Sequence, residues 1–391
     1  MRILLYDWAL HFLGGGQKYA CDIAAALQDG HTVTLLGSKP VKKEFLEASY
    51  GLDLSRVELP GFDFSPAVEE LPSGLYSVLL RQWNYAREAA KVSSLTRDYD
   101  LFINCEASRS MIRPLSPKSI LVCHFPPRSD LRKEWDAYGT ALKYTYALPY
   151  RVLAGLFPPK NHAADYGMVL TCSQFSKGWI KRLWGVPARV LYPSVRPGAG
   201  GHAGNSILTV ARIARKKKIL EMIDVFRGLH ERGLSGWDFI IAGSAAPDRQ
   251  QYLQKIRGAM AGLPVRLVIN PSFEELSGLY ASSRIYWHMA GLGVDAEAEP
   301  YEMEHFGITP VEAMSHGVVP ILYNGGGMRE IVEENESGFL VDGLGRLAAR
   351  TSELCGSPAL LERMSKGALA RSAFFSREAF GSGIRSAIEE L

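Results

Sequence analysis

The chain has 391 residues, 47% of them hydrophobic and 22% charged, and a net charge of +3. Such a composition suits a soluble globular protein of two ordinary domains and argues against a disordered chain or a nucleic-acid-binding footprint. The absence of any long apolar run argues against a membrane-spanning helix.

The opening residues, MRILLYDW, read as a first strand rather than a secretory signal, because they lack a long apolar core and a small-residue cleavage site. From there, strands and helices alternate. Strands are expected at Ile3–Tyr6, Thr32–Leu36, Leu101–Asn104, Ile120–Cys123, Val169–Cys172 and Val190–Tyr192, with a helix from Gly16 to about Gln28. That order implies a parallel sheet covered by helices. Residues 193–204, PSVRPGAGGHAG, are nearly devoid of apolar side chains and read as a linker. A second series follows, with strands at Ile207–Val210, Phe239–Ala242, Arg266–Ile269, Ile285–His288 and Val319–Tyr323. Its helices are expected at Ile219–Arg232, Asp248–Met260, Phe273–Ser282, Pro310–Ser315 and Met328–Glu333. The tail is helical from about Leu344 and ends in a helix over Arg377–Glu390 behind a Ser376 cap. The expected division is residues 1–195, residues 196–372, and a terminal helix over 373–391 that can pack back on the first domain. Two Rossmann-like halves of this kind place a ligand cleft between the C-terminal ends of both sheets.

Five scattered cysteines with no CxxC pair point away from a zinc site or a disulfide framework and towards a reducing, cytoplasmic setting. Residues 1–195 carry 23 Lys and Arg against 18 Asp and Glu, a mildly basic half that would suit an anionic acceptor or the anionic face of a membrane, or be a random surface imbalance. Leu142–Phe157 and the group Trp179, Lys181, Arg182 and Trp184 combine aromatic and basic residues, as interfacial segments and half-buried helices both do.

The richest segment runs from Glu304 to Gly327, EHFGITPVEAMSHGVVPILYNGGG. Thr309-Pro310-Val311-Glu312 fits an N-cap with proline at the first helical position and a capping-box glutamate. Gly317 would end that helix, a buried strand follows, and Gly325, Gly326 and Gly327 would allow a backbone to approach a ligand closely. Helix N-termini attract anionic oxygens, and carboxylates accept from sugar hydroxyls. Capping can account for Glu312, whereas Glu304, five residues before the helix, is beyond its reach.

With these parts in place, the chain resembles the retaining glycosyltransferases of the GT-B fold, family 4, over nearly its whole length. The resemblance rests on Glu304 and Glu312 in E-x7-E spacing, with Phe306, Gly307, Ala313, Met314, Gly317, Pro320, Gly326, Gly327 and Glu330 as context. It rests also on Val210-Ala211-Arg212-Ile213-Ala214-Arg215-Lys216-Lys217 after the strand that opens the second half, with Ala211 where the family often has glycine. Two N-terminal features agree: Gly14-Gly15-Gly16 ahead of the first helix, with Gln17 where many members carry Glu, and His124 at a strand end before Pro126-Pro127. Within the family, the likeness is to mannosyltransferases that add α-1,2-mannose to dolichol-linked oligosaccharide.

The resemblance implies an α/β GT-B enzyme that moves a hexose, with mannose from GDP-mannose as the leading donor, to a hydroxyl of a glycan or lipid-linked acceptor with retention of configuration. A UDP-sugar transferase and a nucleotide-sugar epimerase or hydrolase on the same scaffold are the alternatives. It implies Arg212 and Lys217 on the donor diphosphate, assisted by amides at Gly15, Gly16 and the helix start at Ile308 and Thr309. Glu312 would take the ribose, Glu304 the donor sugar with the Phe306 and Gly307 amides beside it, and His124 the reacting carbon. The base would dock near Asn270 and Ser272. No cofactor and no metal are implied, although Asp295, Glu297, Glu299, Glu302 and Glu304 form an acidic run. No nucleic acid is expected as a partner. The expected location is cytoplasmic, with peripheral attachment to the cytoplasmic membrane face as an option.

Overall fold

In the computed structural model the chain builds two parallel sheets, one after the other. The structure describes residues 1–62, 75–105, 107, 112–127, 162–198, 200–201, 204–245 and 250–391. The aromatic-basic segment Leu142–Phe157 lies outside the described residues, as does the expected helix start at Asp248.

The first sheet contains β1 (Arg2–Asp7), β2 (Thr32–Gly37), β3 (Val57–Glu58), β4 (Leu101–Asn104), β5 (Lys118–Val122), β6 (Met168–Thr171) and β7 (Arg189–Val190), in the order β3-β2-β1-β4-β5-β6-β7. The second contains β8 (Ser206–Val210), β9 (Asp238–Gly243), β10 (Val265–Ile269), β11 (Ile285–His288), β12 (Val319–Tyr323) and β13 (Phe339–Val341), in the order β10-β9-β8-β11-β12-β13. In each, the order reverses at the first strand, which opens a crevice at the carboxyl ends of the strands on either side. The first sheet is accompanied by α1 (Gly15–Leu27), α2 (Lys43–Tyr50), α3 (Leu75–Leu95) and α4 (Gln174–Trp184). The second has α5 (Ile219–Glu231), α6 (Gln250–Ala259), α7 (Phe273–Ser282), α8 (Ile308–Ser315), α9 (Leu344–Gly356) and α10 (Pro358–Ser372), and α11 (Arg377–Glu389) closes the chain.

In the central strands of each sheet, side chains are buried on both faces, as covered parallel sheets require. Along β1, Ile3 and Leu5 enter one core while Leu4 and Tyr6 enter another. The second sheet repeats this, with Ile285 and Trp287 on one side and Tyr286 on the other. Period-2 alternation is therefore absent at the level of polarity, and continuous apolar runs mark these strands instead.

The chain ends crosses back between the two halves. Ser376 accepts from the Ala379 amide at 3.2 Å and caps α11. Phe380, Ile384, Ala387 and Ile388 of that helix share a core with Tyr19, Ile23 and Leu27 of α1, in the first domain. Val195 donates from its amide to the Phe375 carbonyl at 2.8 Å, so the linker and the start of the return run side by side.

Two expected elements differ. The segment expected as a helix at Met328–Glu333 is a 3-10 turn over Gly326–Glu330. The helix expected from Pro310 begins two residues earlier, at Ile308, behind Gly307 with φ +101°. Gly317, with φ +76°, follows the His316 C-cap in the left-handed conformation that favours glycine.

Candidate functional site

Two helix N-termini meet across the crevice. α1 starts behind Gly14, which is extended and offers no side-chain cap; α8 starts behind Gly307, which offers none either. A Cβ added to Gly15 would lie 3.1 Å from Ile308 Cδ1, and one added to Gly16 would lie 3.5 Å from His124 Nε2. A side chain at Gly15 would crowd Ile308, whereas one at Gly16 would make ordinary contact with His124. The amides of Gly15 and Gly16 on one side, and of Phe306, Gly307, Ile308 and Thr309 on the other, have no hydrogen-bond acceptor among the described residues. Free amides and the positive ends of two helix dipoles thus face a common space, which favours an anion.

The basic run adds fixed charge. Arg215–Lys217 form a 3-10 turn after β8, and Lys218 with φ +58° starts α5. Lys217 Nζ ion-pairs with Glu304 Oε2, which settles which lysine turns inward. Lys216 lies close to Lys217 and Arg212, and its pKa is lowered, first by desolvation and then by those two cations. Arg212 is exposed and has no ion-pair partner among the described residues. Glu304 also takes His288 Nε2 at 3.2 Å on the same Oε2. Burial alone would raise the Glu304 pKa, but Lys217 and His288 outweigh it and hold the carboxyl well below its usual range. Glu304 is therefore ionised.

His124, at the end of β5, has an Nε2 that is buried and without a partner. Burial pushes its pKa down to about 4, so the ring is neutral at pH 7. Its other neighbour is Tyr19, edge-on at 5.0 Å between ring centroids.

Glu312 departs from the capping-box expectation. Thr309 Oγ1 donates to the Val210 carbonyl at 3.0 Å and accepts from Tyr286 OH at 2.8 Å, so it ties α8 to the end of β8 rather than capping its own helix. Glu312 Oε2 instead accepts from Tyr280 OH at 3.0 Å. The capping box fails because the helix starts earlier than Thr309, which places Glu312 in the second turn, out of reach of an N-cap amide. Tyr286 senses the charge of both Glu312 and Glu304, which places the two carboxylates around one buried tyrosine.

The glycine loop also departs from expectation. A Cβ on Gly326 would sit 2.3 Å from the Glu304 carbonyl oxygen and one on Gly327 2.1 Å from that of His305. Gly327 donates to the Glu304 carbonyl at 2.9 Å. The close approach that Gly326 and Gly327 permit is to the backbone of Glu304–Phe306, which they buttress from behind.

Asn270 has φ +52° and accepts from the Ala245 amide at 3.4 Å, on the rim where β9 and β10 end. Ser272 caps α7 in a full capping box with Glu275, so its hydroxyl and amide are both engaged. The acidic run does not converge: Glu297 pairs with Arg182, Glu304 with Lys217, and no group of three ligating side chains gathers among the described residues. Of the aromatic-basic group, Trp179 is buried, with Phe125 6.3 Å away, and Trp184 is half-buried, leaving Lys181 and Arg182 exposed.

The two domains also touch directly, beside the crevice. His305 stacks on Phe125 with centroids 4.0 Å apart and planes 6° apart. Glu330, known from the sequence only as motif context, accepts from the amides of Gln174 and Phe175 at 2.7 and 2.9 Å and from Tyr192 OH at 2.9 Å. A carboxylate of the second domain thus occupies the N-terminus of a helix of the first. His288, Tyr280 and Tyr286 escaped the sequence reading. The one available signal was position: His288 ends a strand, at the edge where ligands bind.

Known proteins resemble the chain in sequence and in fold. Residues 201–371 match the model of the family described as glycosyl transferases group 1. The chain is 25% identical over 373 residues to the alpha-1,3/1,6-mannosyltransferase ALG2 of Candida glabrata, covering 83% of this chain and 77% of that protein. It is 26% identical over 388 residues to the Neurospora crassa protein of the same description, covering 84% and 77%. A shorter stretch of 151 residues is 27% identical to the GDP-mannose:cellobiosyl-diphosphopolyprenol alpha-mannosyltransferase of Komagataeibacter xylinus, covering 38% and 35%. Among solved structures, Anabaena Alr3699/HepE in complex with UDP and glucose superposes with a TM-score of 0.68 at 17% identity over 100% of both chains. The sucrose-phosphate synthase of Thermosynechococcus elongatus superposes with a TM-score of 0.70 at 15% identity, over 100% of this chain and 98% of that one. These likenesses establish the fold as GT-B.

Proposed function

We propose that this chain, a glycosyltransferase whose residues 201–371 match the glycosyl transferases group 1, is a retaining mannosyltransferase that uses GDP-mannose and an acceptor hydroxyl on a lipid-linked glycan. The observation that carries the reading is the ionised Glu304 beside Lys217, set against two uncapped helix N-termini across the crevice. Such a site suits a ligand with a diphosphate at one end and hydroxyls at the other. The names of the ALG2 relatives and of the GDP-mannose relative support mannose and guanosine as sugar and base. The α-1,3 and α-1,6 linkages in the ALG2 names differ from the α-1,2 linkage of the enzymes the sequence resembles, so the product decides that point.

In this reading the acceptor oxygen bonds to the anomeric carbon as that carbon's bond to the diphosphate breaks. The acceptor proton passes to a diphosphate oxygen, on the face the leaving group vacates. Arg212 and Lys217 take up the charge that develops on the diphosphate, together with the amides at Gly15 and Gly16. Glu304 orders the sugar hydroxyls, with the Phe306 and Gly307 amides beside it. Glu312 takes the ribose with its second oxygen while Tyr280 holds the first, and His124, neutral, lines the sugar face. The two fixed cations stand where other enzymes use a metal. Peripheral attachment to an anionic membrane would present a lipid-linked acceptor; no helix of the described residues is long and apolar enough to cross a bilayer.

The test is transfer from radiolabelled GDP-mannose to dolichyl- or polyprenyl-diphosphate oligosaccharide in EDTA, with the product read by NMR. An α-mannoside is expected. A β-anomer overturns retention, and transfer from UDP-glucose in preference to GDP-mannose overturns the donor. Pelleting with anionic liposomes at low salt tests the membrane; protein left in the supernatant removes it.

A further inference from the structure

Glu304 receives two hydrogen-bond donors on a single oxygen. Lys217 Nζ and His288 Nε2 both meet Oε2, while Oε1 makes no hydrogen bond among the described residues. The carboxylate is ionised and can only accept, so Nε2 of His288 carries the proton. His288 itself is fixed: it is 3% exposed, ends β11 and runs alongside the Tyr286 ring, with centroids 6.3 Å and planes 11° apart. The lysine differs in kind. It sits on a 3-10 turn beside Lys216 and Arg212, a charge-dense place where its long side chain can change partners.

A diphosphate entering between the helix starts changes this balance. It carries more negative charge than one carboxylate and offers several oxygens to the same ammonium. Lys217 then has a better partner than Glu304, and Glu304 would lose its counter-ion at the moment the sugar arrives.

We propose that His288 is a positioning residue, which keeps Glu304 anchored through Oε2, with Oε1 turned to the sugar, while Lys217 is handed from Glu304 to the donor diphosphate. This rests on the reading of Lys217 and Glu304 given above. The Lys217–Glu304 pair is the resting state of the empty site, and the His288–Glu304 bond is the part that persists in both states. Arriving diphosphate must displace a carboxylate from its cation, so nucleotide binding without a sugar is opposed by Glu304 itself. The sugar's hydroxyls, accepted by Oε1, restore what that displacement removes. Nucleotide and sugar are thereby recognised together.

The experiment compares the dissociation constants of GDP and GDP-mannose by calorimetry, in wild type, His288→Leu, His288→Gln and Glu304→Gln, with a thermal melt of each. In His288→Leu the preference for GDP-mannose over GDP should fall about tenfold while GDP affinity stays within about threefold. His288→Gln, which still presents an N–H to Oε2, should recover most of that preference. Glu304→Gln should bind GDP severalfold more tightly than wild type and lose the sugar preference. A merely structural role for His288 would instead shift both ligands alike, together with the melting temperature. If His288→Leu does not fold, the Gln variants carry the test. An unchanged sugar preference in His288→Leu, or weaker GDP binding in Glu304→Gln, overturns this inference alone. Wild-type protein that binds none of GDP, UDP and ADP overturns the underlying donor-site reading and this inference with it.

Discussion

Lys217 and Glu312 show how far single residues can be read. Both were singled out by resemblance to the family's motifs, a lysine after the strand that opens the second half and a carboxylate eight positions beyond Glu304; the structure gives each a partner, Glu304 for Lys217 and Tyr280 for Glu312. Lys217→Ala should reduce turnover by about 10²-fold or more, since it removes a charge aimed at the leaving group. Its melting temperature should fall, because the largely buried Glu304 carboxylate loses its counter-ion and keeps only the neutral His288; wild-type turnover would remove Lys217 from the site. Glu312→Gln still accepts from Tyr280 OH and caps nothing, so stability should change by less than about 1 kcal/mol. Nucleotide affinity should nevertheless fall about tenfold, and equal affinity in a titration would show that Glu312 serves Tyr280 alone. What spacing could not reveal is the support. Tyr280 lies 32 positions from Glu312, and His288 16 from Glu304, so each pair forms only once strands and helices are placed side by side.

At the scale of elements, the glycine loop is the instructive case. Gly325–Gly327 announce that something comes close, and the sequence does not say what. The visitor is the Glu304–Phe306 backbone. Gly327→Ala should therefore displace that loop, lowering the melting temperature and the affinity for nucleotide sugar together; an unperturbed melt and wild-type binding would contradict the buttress. Glu330 is the counterpart between domains. It satisfies two free amides at the start of α4 from the other side of the crevice, as an N-cap would from within the helix. Glu330→Ala should cost about 1–2 kcal/mol and increase the radius of gyration measured in solution. A variant as compact as wild type would show that the His305–Phe125 stack suffices to hold the domains together. The capping box at Thr309 was misread for a related reason: Tyr286 and Val210 take the threonine hydroxyl, and a tertiary partner outcompeted the local one.

For the whole molecule, the two-sheet plan was legible because the central strands are covered on both faces and read as short apolar runs between turn residues, whereas the short edge strands β3 and β13 carry too little pattern and were not expected. The return of α11 to the first domain was legible in part, through its Ser376 cap and helical period, while its partners on α1 are more than 350 positions away. Buried histidines give the fold a pH signature. His124 and His305 are both held neutral, with pKa values pushed down by burial to about 4. Unfolded, each would titrate near pH 6.5, so the folded state is fully favoured above that value. It loses up to about 3 kcal/mol per histidine as the pH falls from about 6.5 to 4. Chemical denaturation at pH 7.5 and 4.5 should show that loss, and His124→Gln should reduce it; a stability that is flat between these values would contradict the neutral, buried rings.

The central claim is a donor site between the domains whose fixed cations bind a nucleoside diphosphate without a metal. Calorimetric titration of GDP into wild type and Lys217→Ala, both in EDTA, tests it most directly. Binding to wild type, weakened about 10²-fold by the substitution, is the result this account predicts. No binding of GDP in EDTA, or equal binding by the two proteins, would contradict it.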